Sequence, residues 1–329
     1  MRRIVPAFTV VLTGVLLFAG FSFANDGKEK RGKMATVRTV VIDPGHGGLY
    51  PGARGLISVE KDLTLEIALK LGESIQKNFP DVKVVYTRTT DACVGGATNL
   101  RDDLRNRARI ANDSKGDLFI SIHINATREP AGGYYAKRVI GHRKKTVMVG
   151  KGKKKRKKTI NEPIYESYWV KNMRTGTETY IWKASKQDDK YKAINNNDET
   201  GENLEDSTAE ATAFDPNSTE FMIRTQLYEK KFFTNSYILS SFVEEQFKES
   251  GRTSYGVKQR DVGIQVLQAT GMPSILIENG FITNKEEEEY MNSNKGQEEI
   301  VSDITEAFRK YKAQLESKGS GTKAASPAN

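Results

Sequence analysis

Three short β-branched runs, separated by two segments of helical periodicity, constrain the fold of this 329-residue chain more than any other feature. Val37 to Ile42, Val82 to Thr87 (VKVVYT) and Asp117 to Ile122 (DLFISI) read as strands, the first a buried one. Between the first two, Lys61 to Phe79 repeats Leu63, Ile67, Leu71 and Ile75 at four-residue spacing, which is one apolar stripe of a helix. Between the second and third, Asn99 to Asn112 reads as a helix carrying several arginines. Strand, helix, strand, helix, strand predicts an α/β fold, a sheet with helices packed on it. Regular structure resumes with a long helix from Asn217 to Lys248, opened by an Asn217/Glu220 capping box, and a late strand from Ser274 to Ile277. Ile300, Ile304, Phe308, Tyr311 and Leu315 mark a closing helix, so 37–315 reads as one domain. Residues 316–329, rich in Gly, Ser, Ala and Pro from Lys318, read as a disordered tail.

About 137–216 breaks the pattern. This stretch holds RKKTVMVGKGKKKRKK, then a Tyr/Trp-bearing segment, then an acidic, Asn-rich tract, and it reads as a long irregular insertion. Ten basic residues and no acid lie between Arg143 and Lys158, so one local run outweighs the whole net charge of +9. Such a run is either a solvated loop or a site for a polyanion or anionic lipid; no aromatic residues interleave its lysines. At the other end, Arg2 and Arg3 precede an apolar run from Ile4 to Phe23, and Ser22-Phe23-Ala24 offers the small residues of a signal-peptidase site. That pattern predicts a signal peptide over 1–24, a polar linker over 25–36 and an exported chain, in the periplasm above other compartments. The single cysteine, Cys93, cannot form an internal disulfide, so stability must come from the core or from a metal.

The first strand ends in DPGHGG, the third in SIHINA, so His46 and His123 are both delivered by strand ends of one sheet. The third histidine, His142, sits beside the basic run without an obvious partner. A pair of imidazoles in a chain without disulfides invites a zinc reading, and a hydrolytic zinc takes three protein ligands with one position open. Glu60, at the start of the first helix, is a candidate third ligand; its bland alternative is a first-turn acid favoured by the helix dipole. Asp43 shares a turn with His46 and is less suited. Glu278 terminates the apolar strand PSILIENGF, a costly place for an unused carboxylate. It suits the proton-transferring acid of a metal-assisted hydrolysis; the alternative is a carboxylate held by Arg88 or Arg260.

Taken in order, DPGHGG at 43–48, VEKDLTLEIA at 59–68, YTR at 86–88, LRNRARIAN at 104–112, DLFISIHINA at 117–126 and MPSILIENGFITN at 272–284 resemble the zinc-dependent N-acetylmuramoyl-L-alanine amidases, of the type that separates daughter bacteria. The resemblance implies a six-stranded twisted sheet flanked by helices. It implies Zn2+ on His46, Glu60 and His123, with Glu278 as catalytic acid/base. It also implies the substrate, the amide joining N-acetylmuramic acid to L-alanine in peptidoglycan, cleaved during wall remodelling or cell separation. Some relatives carry an inserted helix that plugs the site with a glutamate until an activator protein displaces it; Glu220, Glu210 and Glu205 are the corresponding candidates here, Glu220 foremost. A monomer without a nucleic-acid partner is expected. A stem-peptide carboxypeptidase using the same ligands and a non-catalytic wall-binding module are the competing readings.

Overall fold

In a computed structural model, which describes residues 36–183, 219–260 and 262–320, β-branched runs line up as the centre of a six-stranded sheet. β1 (Thr39–Pro44), β2 (Lys83–Tyr86) and β3 (Leu118–Asn125) are the three strands expected from the sequence, and all run parallel. The helices between them are α1 (Glu60–Asn78) and α2 (Leu100–Asp113), the latter capped by the Asn99 side chain accepting from the Asp102 N–H. The late strand is longer than its apolar stretch: β8 (Ser274–Phe281) carries Glu278 in its interior.

The chief departure lies in the expected insertion. Gly133–Val149 (β4) and Arg156–Lys171 (β5) form a long antiparallel ribbon, and Thr177–Trp182 (β6) is a core strand. β6 lies antiparallel to β8 and parallel to β7 (Ser254–Arg260), giving the order β2-β1-β3-β8-β6-β7. TETYIW is buried at every position because helices and sheet cover both of its faces, so it shows none of the alternation of a half-exposed strand. The ribbon escapes a search for apolar runs for the opposite reason: its strands are mostly exposed, with charged residues interspersed along them.

Alternate side chains of the central strands divide the core. Val40 and Ile42 face α1, α3 (Thr219–Glu249) and α6 (Asn294–Ser320), meeting the Leu63, Ile67, Leu71, Ile75 stripe and Ile300, Ile304, Phe308 and Tyr311. Val41 and Phe119 face the other way, with Ala111 of α2, Trp182 and the segment around the short helix α4 (Gln265–Ala269). A further helix, α5 (Lys285–Asn292), leads into α6. α6 continues to Ser320, past the start of the expected tail. The leader, Asn217, Glu205, Glu210 and residues 321–329 lie outside the described residues; Glu220 falls in α3, its side chain outside them.

Candidate metal centre

His46, Glu60 and His123 come from three separate elements and converge. One donor atom from each lies within 4.8 Å of the others. His46 Nε2 is 3.2 Å and His123 Nδ1 3.0 Å from the same oxygen, Glu60 Oε1, and the two rings stand edge to face with centroids 4.9 Å apart. Donors about 2.0–2.1 Å from a tetrahedral zinc sit roughly 3.3 Å from one another, so two of the three pairs already have the right separation. Two imidazole nitrogens and a carboxylate with an open side are the donor set of hydrolytic zinc sites. The residues present therefore fit the ion.

Each ligand candidate is held from behind. Glu60 is the first residue of α1; its Oε2 accepts from the Ala53 N–H and its Oε1 from the Ile124 N–H. Burial alone would raise its pKa, but hydrogen bonds from His123 and His46 and their charge hold it far below the usual carboxylate range. His123 sits in β3, its carbonyl accepting from Asn279 Nδ2. A Cβ on Gly45 would lie 2.5 Å from the His123 ring, and one on Gly52 2.5 Å from Glu60 Oε2. Gly45 and Gly52 thus leave space for the site.

His46 itself adopts φ = 61°, a left-handed conformation rare for a side-chain-bearing residue. Two buried arginines hold the backbone that allows it. Arg107 donates to the carbonyls of Pro44 (2.7 Å) and His46 (2.5 Å), and Arg88 to those of Pro44 (3.0 Å) and Gly45 (2.8 Å). Arg107 is in turn clamped between Asp43 (2.8 Å) and Asp103 (2.7 Å), while Asp43 also accepts from Thr87 (2.5 Å) and Ser121 (2.7 Å). Asp43 is therefore a support for the turn and is not one of the three converging donors. The YTR and LRNRARIAN motifs supply Arg88 and Arg107; their chemistry is backbone clamping, a role that reading for ligands does not reveal.

Glu278 sits beside the cluster. It is the Cα partner of His123 on one side and of Glu178 on the other, so the three side chains share a face of the sheet. Its Oε2 is buried and has no hydrogen-bond partner among the described residues. Burial, then the charges of Glu60 and Glu178, push its pKa well up against a weaker pull from Arg260. Arg88 is engaged at the His46 turn, so it does not pair with Glu278. Glu178 differs: Tyr180, Lys258, Arg174 and Asn125 all donate to it, and although burial opposes this, they keep its pKa low. Two glutamates side by side thus have their pKa values pushed in opposite directions, the pattern of an acid/base site. Glu178 is a residue the sequence reading overlooked; TETY alone carries no signal for it. An adjoining cleft of about 250 Å³ is walled by His46, His123, Tyr50, Leu100, Ile264 and Val266 among others.

The profile of the N-acetylmuramoyl-L-alanine amidase family (Amidase_3) matches residues 40–310. Among curated proteins, the germination-specific N-acetylmuramoyl-L-alanine amidase of Bacillus subtilis is 34% identical over 34% of this chain and 50% of its own. The probable N-acetylmuramoyl-L-alanine amidase AmiB of Haemophilus influenzae is 26% identical over 89% of this chain and 54% of its own. In these matches the chain spans about half the length of the curated relatives. The CwlD amidase of Clostridioides difficile, solved in complex with the GerS lipoprotein, shares the fold at TM-score 0.51 and 23% identity, covering 84% of this chain and 99% of that one. Family profile and fold agree over the strands and helices that bring His46, Glu60, His123 and Glu278 together, and on that ground the chain belongs to the N-acetylmuramoyl-L-alanine amidase family.

Proposed function

We propose that the protein is a zinc-dependent hydrolase that cuts the amide between N-acetylmuramic acid and L-alanine in peptidoglycan. The single observation that carries this reading is the convergence of two imidazoles and a carboxylate beside a second carboxyl whose buried Oε2 has no hydrogen-bond partner among the described residues. When bound, zinc would polarise the scissile carbonyl and bring the pKa of a water from 15.7 toward about 7. His46, Glu60 and His123 would hold the ion, with the Arg88 and Arg107 clamps fixing the His46 turn against displacement. Glu278 takes a proton from the attacking water and returns it to the leaving nitrogen, a role that suits a carboxyl whose basicity is raised by burial and by the Glu60 and Glu178 charges. The apolar wall of Leu100, Ile264 and Val266 suits the small methyl-bearing groups that flank this amide.

Export follows from the leader pattern of 1–24, and the periplasm is the compartment we infer for work on peptidoglycan. A protein partner that regulates the site fits with the CwlD relative having been solved as a complex with a lipoprotein. Incubating the purified chain with peptidoglycan tests the reaction. Free L-alanine amino termini and intact lactyl-bearing glycan should be released, release should stop with a chelator, and zinc should restore it. Fragments cut within the stem peptide instead would identify a carboxypeptidase and overturn the assignment.

A further inference from the structure

Beyond its foot, where Tyr134, Val170 and Lys171 share a cleft with Asn125 and Glu178, the β4–β5 ribbon carries chemistry that amide hydrolysis does not use. Its foot is fixed to the domain: the Gly132 N–H donates to the Thr283 carbonyl (2.9 Å) and Asn284 Nδ2 to that of Asn172 (3.0 Å). Beyond the foot the strands pack chiefly on each other. With 17 residues in β4 at roughly 3.4 Å each, the ribbon can reach on the order of 50 Å. The ten basic residues between Arg143 and Lys158 lie in its outer half. Only Arg143 and Lys145 of these meet an acid among the described residues, both at Glu162.

The last three rungs have a regular composition. Val147 faces Lys158, Met148 faces Lys157 and Val149 faces Arg156, so each pairs an apolar side chain with a cation across the strands. Met148 is 55% exposed. Alternation places Met148 and Lys157 on one face, Val147, Val149, Lys158 and Arg156 on the other, and Lys151, Lys153, Lys154 and Lys155 close the tip. A linear polyanion lying in a groove needs cations along one face and has no use for the valines and methionine. A lipid surface met end-on needs both: apolar groups for the acyl boundary, and long cations that reach back to phosphate from either face. One apolar contact rarely holds a protein to a bilayer, and a polybasic cluster supplies the second signal. No helix among the described residues is long and apolar enough to cross a membrane.

We propose that the ribbon tip docks the protein on an anionic membrane surface, holding the hydrolytic domain within an arm's length of the lipid. The inference stands apart from the hydrolytic reading and needs only the ribbon.

Co-sedimentation tests it, using the chain from Asn25 onward and vesicles of phosphatidylcholine with or without phosphatidylglycerol. Binding should be at least about 10-fold stronger with phosphatidylglycerol and should weaken with added salt. Lys153→Gln, Lys154→Gln and Lys155→Gln together should remove most of that gain, and Met148→Ser should lower it further, with release of peptidoglycan fragments and thermal unfolding unchanged. Equal binding to the two vesicle types, or unaltered binding by the triple variant, would overturn the proposal. So would tighter binding to soluble polyphosphate that ignores Met148→Ser, which would make the tip a site for a linear polyanion.

Discussion

Glu278→Gln is expected to bind zinc as the parent does and to lose hydrolysis by a factor on the order of 10² to 10⁴. Glutamine keeps the shape of the side chain but can neither take a proton from water nor pass one to the leaving nitrogen. Because Oε2 makes no hydrogen bond among the described residues, the substitution breaks no mapped contact, and the fold should be unaffected. The parent carboxyl is neutral to a higher pH than an ordinary glutamate in the metal-free protein, first through burial and then through Glu60 and Glu178. Removing that titration should also flatten the pH profile of whatever turnover remains. Parent-level turnover at full metal content would take Glu278 out of the reaction.

The second large effect concerns stability. Arg107→Leu leaves Asp43 and Asp103 buried without their shared cation and frees the carbonyls of Pro44 and His46. Stripping one partner from a buried ionic network costs about 3–5 kcal/mol. A drop of that size should show in urea unfolding. Arg107→Lys keeps charge but not the planar fork that reaches two acids and two carbonyls at once, so it should recover only part of the loss.

The pH dependence has a definite sign. Burial raises the Asp43 pKa, but Arg107, Thr87 and Ser121 outweigh it and hold the value below that of a free aspartate. A depressed acid stabilises the fold fully above its unfolded pKa of about 3.9 and loses that contribution as pH falls through the lower folded value. The deficit of Arg107→Leu should therefore be largest near neutrality and shrink below about pH 4. A deficit that is constant with pH, or under about 1 kcal/mol, would show that the network does not support the turn.

Much of this site is legible in the sequence because its residues end strands or open a helix. His46 and Glu60 stand next to glycines whose missing Cβ atoms leave room for them, and Gly45 leaves room for the His123 ring. The parallel half of the sheet is equally legible, since β1 and β3 are largely buried on both faces and read as mainly apolar runs. β6 is hidden by its position between a charged ribbon and an acidic tract, although every residue of it is buried. The ribbon is hidden because nothing in a lysine-rich stretch marks period-two pairing; its register depends on cross-strand contacts such as Tyr135 with Trp169, whose rings sit 5.1 Å apart. Arg88 and Arg107 are visible as residues but not as clamps, because their partners are backbone carbonyls contributed by a turn distant in sequence.

Anomalous diffraction at the zinc edge from crystals of the active protein addresses the central claim without relying on turnover. A single peak should lie among His46 Nε2, the Glu60 carboxylate and the His123 ring, and it should vanish in His123→Ala. A fully active crystal form with no peak there, or with its peak elsewhere, would contradict the account.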